Sequence, residues 1–258
     1  MDHSILVLVG LTVGILIGMT GVGGGVVLLP VLIIGMQVPP LLAAGTGIVF
    51  SFFTKIGGAA AHWRRGQVDW RLTLALAAGS IPGGFLGAGI LAAVRSRYGP
   101  GVNDFLRDII GIALVAISAG MLAQLRATAR GSISLRERLP NFITRYHGAV
   151  ITGWLGGLLV GLTSIGAGSA IMLLLLLFYR ISPAKMVGTD IMHGVILTGT
   201  TGLAYLGMHA VDFGLVTFLL LGSVPGILIG TNLTTLVPGL WLRRILLVSL
   251  IGAGVWML

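Results

Sequence analysis

Cysteine is absent from the 258 residues. No disulfide framework, thiolate metal site or cysteine nucleophile is therefore available. Charge is scarce as well: Asp, Glu, Lys and Arg together make 9% of the chain, where a soluble domain carries about 25%. Acids are the scarcest, only 7 in all. Paired carboxylates are missing, and no His/Asp/Glu group has the spacing of metal ligands. A nucleotide-binding Gly-x-x-x-x-Gly-Lys-Ser/Thr loop is also missing, so ATP-driven transport would need another subunit. These gaps argue against an enzyme and leave no cofactor expected.

What is present is apolar surface and glycine. Apolar residues make 56% of the chain and 42 residues are glycine. The chain supplies roughly eight segments of the ~20 residues that a spanning helix needs. The lipid bilayer is the expected surrounding. The net charge of +9 does not read as a nucleic-acid signal, because the basic residues lie in short loops between apolar runs, where membrane topology places them. A basic balance also favours anionic solutes. Met1-Asp2-His3 lacks the basic region of a cleavable signal, so the first apolar run is expected to stay in the protein.

That first run, 4–36, is too long for one straight helix and too short for two full spans. It is interrupted at Gly18-Met19-Thr20-Gly21-Val22-Gly23-Gly24-Gly25, ahead of Pro30. Each glycine weakens a helix by roughly 1 kcal/mol relative to alanine. Helices are expected next over 41–62, 70–94 and 104–125, completing a first half, 1–125. A polar stretch with five arginines, 126–145, reads as a linker. The second half, 146–258, holds a second broken element, 146–179, and helices over 184–208, 212–237 and 240–258.

The halves repeat. An offset of 143 residues pairs Gly18 with Gly161, Thr20 with Thr163, Gly23 with Gly166, Gly25 with Gly168, and Pro40 with Pro183. It also pairs Gly45-Thr46 with Gly188-Thr189, Asp69 with Asp212, and Gly79-Ser80 with Gly222-Ser223. Pro82-Gly83 and Gly87 match Pro225-Gly226 and Gly230 at the same offset. Two related halves with broken helices are a common build for secondary transporters. Loop charges address their orientation. With eight full crossings the basic residues divide almost evenly between the two sides. With each broken element entering and returning as a hairpin, Arg95, Arg97 and Arg107 lie opposite all the other loop cations, the bias a real topology carries. The expected fold is thus an all-α integral membrane protein of two inverted repeats. Each repeat has a re-entrant glycine-rich hairpin and three transmembrane helices. The linker faces the cytoplasm and both termini face outward.

The cluster Gly18-x-x-Gly21-x-Gly23-Gly24-Gly25 closing with Pro30 resembles the N-terminal motif of the sulfite exporter TauE/SafE family, also called the toluene sulfonate uptake permease family. Gly45-Thr46, the weaker copy at Gly161–Gly168, Pro183 and Gly188-Thr189 resemble its second half. The resemblance covers essentially the whole chain. It implies transport of a small sulfur-containing anion, such as sulfite or an organosulfonate, across the cell (inner) membrane of a prokaryote. It fixes neither substrate nor direction. The second copy departs from the first at Ala167, Ser164 and Leu173, which stand where the first has Gly24, Gly21 and Pro30.

An oxyanion needs donors and positive potential, and helix N-termini offer both. Gly23, Gly24 and Gly25 would open one returning helix; Gly166, Gly168 and Ser169 would open the other. Gly21, Thr20, Thr163, Ser164, Thr46 and Thr189 complete the candidate anion-binding set, the hydroxyls as added donors. The alternative use of the glycines is close helix packing. Lys55 is the one basic residue deep in a predicted span, and Asp190 the one acid. Inverted halves put both roughly 10 Å from the cytoplasmic face, able to pair, whereas parallel halves separate their depths by about 12 Å. Snorkelling is the other reading of Lys55. His193, one turn after Thr189, either relays a proton, binds the anion, or is a satisfied core histidine. Ser80-x-Pro82-Gly83 and Ser223-x-Pro225-Gly226 read as packing or hinge motifs. The first function expected is secondary transport of a small sulfur anion. The alternatives are an anion channel and a carrier of another anion, such as a carboxylate. Oligomeric state stays open, a homodimer being one arrangement.

Overall fold

The computed structural model describes residues 3–20, 24–129, 146–165, 181–233 and 239–258, with Ile171, Leu175 and Tyr179 between them. Every regular element among the described residues is helical. In chain order they are α1 (His3–Thr20), α2 (Gly24–Pro30), α3 (Pro40–Arg64), α4 (Trp70–Tyr98) and α5 (Val102–Ala129). Then follow α6 (Tyr146–Thr163), α7 (Pro183–Gly207), α8 (Phe213–Leu233) and α9 (Gly239–Met257). Three stretches, Pro40–Arg64, Trp70–Ala123 and Phe213–Thr231, are long and apolar enough to cross a bilayer. Large apolar side chains such as Leu8, Leu203, Leu228 and Val248 face outward, which water would penalise and lipid solvates. The chain is an all-helical membrane protein.

Local chemistry sets the helix ends. Pro40 occupies the first turn of α3, where its missing N–H costs nothing. Asp69 caps α4 by accepting from the amide of Leu72 at 3.0 Å, and Asp212 accepts from Leu215 at 3.0 Å before α8. Ser182 caps α7, accepting from Lys185 at 3.4 Å. After Pro30 the chain continues as a π-helical turn, Val31–Gly35. α5 runs through Arg126 to Ala129, into the first residues of the segment read as a linker.

Backbone contact through glycine organises the packing. A Cβ added to Gly10, Gly14 or Gly18 of α1 would fall 2.2, 2.4 and 2.4 Å from the carbonyl oxygens of Leu219, Ser223 and Ile227 of α8. A Cβ on Gly153, Gly157 or Gly161 of α6 would fall 2.1, 2.2 and 2.2 Å from those of Leu76, Ser80 and Gly84 of α4. Each contact in the second set is the first shifted by 143 residues at one partner and shifted back by 143 at the other. Numbers rise together within each pair, so α1 runs parallel to α8 and α6 parallel to α4. Bare backbone lets helices approach closely where lipid gives no hydrophobic drive for association.

α3 and α7, which the offset also relates, cross in the opposite sense. Gly58 of α3 lies against Ile191, whereas Gly202 of α7 lies against Ile48 and Val49. Two exchanged hydrogen bonds tie the helix pair to the loops. The amide of Asp69 donates to Thr189 Oγ1 at 3.0 Å, and that of Asp212 donates to Thr46 Oγ1 at 3.1 Å.

An open cavity of about 400 Å³ sits at one end of the molecule. His3 and Leu6 at the start of α1 line it, together with Met36, Gln37, Val38 and Pro39 beyond α2. One continuous helix between His3 and Met36 would hold them roughly 50 Å apart. Here they share a wall.

Candidate functional site

The break between α1 and α2 places Gly24 and Gly25 in the interior. A Cβ on Gly25 would stand 2.6 Å from the carbonyl oxygen of Ser164 and 3.8 Å from Ser51 Oγ. A Cβ on Gly24 would meet the Phe50 ring at 3.0 Å, and one on Gly47 would lie 3.5 Å from Ser164 Oγ. The start of α2, the end of α6 and the middle of α3 therefore converge. Ser164 has φ +61°, a left-handed conformation uncommon for residues with a side chain. Thr163 secures that turn: its Oγ1 donates to Leu159 O at 2.7 Å and accepts from the amide of Ile165 at 3.1 Å.

Two hydroxyls in this space are buried without a hydrogen-bond partner among the described residues, Ser51 Oγ and Ser164 Oγ. Buried polar atoms are nearly always paired, so this unpaired couple beside bare backbone makes the region the candidate site. Lys55 lies one turn beyond Ser51 on the same face of α3. It is buried and interacts electrostatically with Asp190 and with His193. His193, fully buried, shares a hydrogen bond of 2.8 Å with Ser80 through Nε2. Its Nδ1 and Asp190 Oδ1 have no hydrogen-bond partner among the described residues.

Of the residues singled out from sequence, Gly24, Gly25, Thr163 and Ser164 meet at the break. Lys55, Asp190 and His193 form a second cluster on α3 and α7. Thr46 and Thr189 are fully buried, but their hydroxyls accept the Asp212 and Asp69 amides and so join helix to loop. Gly21, Gly23, Gly166, Gly168 and Ser169 lie outside the described residues, and of Thr20 only the backbone is described. Ser51 was missed by sequence reasoning; its one signal was its place a turn before Lys55. Ser80, read as part of a hinge, is the partner of His193.

Tyr205 was also missed. It is fully buried, and its hydroxyl donates to the carbonyls of Gly161 at 3.0 Å and Leu162 at 3.4 Å. Those carbonyls lie in the last turn of α6, just ahead of Ser164. Tyr205→Phe leaves them without that donor and is expected to cost about 1–2 kcal/mol. Thermal unfolding of the detergent-solubilised variant checks this as a lowered midpoint.

The comparisons agree with the membrane and transport character of this arrangement. The family model for the sulfite exporter TauE/SafE matches residues 6–257. A probable membrane transporter protein of Bacillus subtilis (strain 168), YjnA, is 34% identical over 89% of this chain and 89% of its own. Another from the same organism, YdhB, is 28% identical over 98% of this chain and 99% of its own. No solved structure matches the chain. A match across nearly every described helix, with relatives of full length, means that this chain belongs to the sulfite exporter TauE/SafE family of membrane transporters.

Proposed function

We propose that the chain is a secondary transporter of a small sulfur-containing anion, held between the break that opens α2 and the end of α6. The observation that carries this reading is the pair of unpartnered buried hydroxyls, Ser51 and Ser164, against Gly24 and Gly25 with Lys55 a turn away. Hydroxyls and backbone amides suit a pyramidal or tetrahedral oxyanion, and Lys55 offsets its charge. The missing side chains at Gly24 and Gly25 let the Phe50 ring and the end of α6 close on the start of α2, which brings the two hydroxyls beside it.

Inverted halves and re-entrant hairpins belong to the same proposal. Antiparallel crossing of α3 and α7, which are repeat equivalents, supports opposite orientations of the halves. His3 and Met36 on one cavity wall support a first broken element that returns to the face it entered. Arg95, whose guanidinium donates to the Met208 carbonyl, and Arg107, 4.7 Å over the Trp256 ring, lie at that same end. On the loop-charge bias this end faces outward, and the end of α5 and the start of α6 face the cytoplasm of a prokaryotic cell. Rocking of one half against the other would then expose the anion to each side in turn.

Thermal shift of the purified protein tests the substrate class against sulfite, sulfate, thiosulfate, sulfoacetate, taurine and carboxylates. Stabilisation by sulfur oxyanions is expected, and stabilisation by carboxylates alone sinks the reading. Ser51→Ala with Ser164→Ala is expected to raise KM for the anion at least about tenfold, the worth of one hydrogen bond to a charge at about 1.5 kcal/mol. Uptake into proteoliposomes measures it.

A further inference from the structure

The repeat supplies an internal control for the polar cluster on α7. At the position equivalent to His193 stands Phe50, and both are fully buried. Gly47 stands at the equivalent of Asp190, and Thr198 at the equivalent of Lys55. The scaffold therefore accepts a phenyl ring, no side chain and a hydroxyl at these three places. Packing does not call for an imidazole, a carboxylate or an ammonium there.

The serines sharpen the comparison. Ser80 and Ser223 occupy the same place in the repeated Gly-Ser-x-Pro-Gly motif. Ser223 donates to its own helix, at Leu220 O, 3.5 Å away, the usual habit of a serine inside a membrane helix. Thr198 does likewise, donating to Gly194 O at 2.7 Å. Ser80 instead engages His193 Nε2 on another helix at 2.8 Å. That bond fixes the ring and leaves Nδ1 buried and unpartnered, on the helix that also carries the unpartnered Asp190 Oδ1.

We propose that His193, oriented by Ser80 and electrically balanced by Asp190 and Lys55, is a proton-binding site that couples proton movement to anion movement. The inference rests on the anion reading above. With the Nε2–H donating to Ser80 Oγ and with Lys55 and Asp190 offsetting one another, a second proton, bound at His193 Nδ1, leaves the cluster with one excess positive charge in apolar surroundings. An excess buried charge is costly, and an anion at the neighbouring break removes the excess. Each therefore favours binding of the other, by the reciprocity of linked equilibria, and the two load together. The titratable groups facing His193 among the described residues are Lys55 from α3 and Asp190 from α7 itself. α4 brings only the Ser80 hydroxyl, and α6 carries no titratable residue beyond Tyr146 and His147 in its first turn.

The test uses proteoliposomes with sulfite and with methanesulfonate, which stays a monoanion and so carries no proton itself. The native protein is expected to concentrate anion about tenfold per unit of imposed pH gradient at one proton per monoanion, and to catalyse counterflow without a gradient. His193→Gln is expected to lose the gradient-driven accumulation and keep counterflow. Ser80→Ala is expected to keep counterflow and move the pH at which accumulation is half-maximal. A His193→Gln variant that still concentrates anion under the gradient overturns the proton site alone. So does one that loses counterflow along with accumulation, since the ring then serves the anion or the fold. Native vesicles without counterflow of either anion sink the transport reading and the proton site with it.

Discussion

Proteoliposomes carrying Lys55→Met are expected to take up sulfite, the kind of anion proposed above, about 100-fold more slowly than the native protein, a loss of about 2.7 kcal/mol in kcat/KM. Among the described residues Lys55 is the buried cation, one turn from Ser51 on α3. Its removal leaves the buried cluster one positive charge poorer beside the proposed anion site and also strands Asp190. Removing one partner of a buried pair typically costs about 3–5 kcal/mol of stability. The second variant separates the two effects. Lys55→Met with Asp190→Asn leaves no stranded carboxylate, so it is expected to recover most of the lost thermal stability while uptake stays low. A folded Lys55→Met protein that transports within threefold of native would remove Lys55 from the anion site. Lys55→Arg keeps the charge but not the shape, and an intermediate rate is expected.

The largest effect on the fold is expected at Gly79. A Cβ there would lie 1.8 Å from the carbonyl oxygen of Val150 and 2.8 Å from the Trp154 amide nitrogen. Neither neighbour is a side chain that can swing aside. Gly79→Leu must push α4 and α6 apart along their whole line of contact, which also parts Gly153 from Leu76 and Gly161 from Gly84. The expected cost exceeds the usual 1–3 kcal/mol of overpacking, and the folded protein should be largely lost from a gel-filtration profile. Gly222→Leu is expected to do the same to α8 and α1, where the added Cβ would lie 1.9 Å from Val7 O. Gly57→Ala serves as the control, since nothing lies within 4 Å of a Cβ at that site. It should leave stability unchanged or raise it by up to about 1 kcal/mol.

Membrane class and family were legible in composition and in the glycine cluster, because each is carried by residues close together in the chain. The spacing of 143 residues was legible because many matched pairs share one constant offset. What it meant for packing was not. Gly18 and Gly161 were read as parts of two breaks, whereas their backbones also pack against Ile227 and Gly84. A sequence period names equivalent residues and says nothing about which helix each one faces. Thr46 and Thr189 illustrate the limit. A buried threonine beside a glycine fits an anion site and a loop staple equally well, and the staple became visible only through the Asp212 and Asp69 amides. Ser51, Ser80 and Tyr205 were hard to find because single polar residues in apolar helices carry no periodic signal. Their importance comes from a partner more than forty residues away, or from having no partner.

The parallel pairing of α1 with α8 has a consequence for how the protein is made. Gly10 meets Leu219, so α1 leaves the ribosome long before the helix it docks against. Until α8 arrives, α1 must wait in the bilayer with a strip of bare backbone that has no final partner, and α6 alone of the two has α4 already inserted beside it. Assembly is therefore sequential, with α4 and α6 closing first and α1 recruited at the end. A chain cut between α5 and α6 would leave each piece holding one side of both seams.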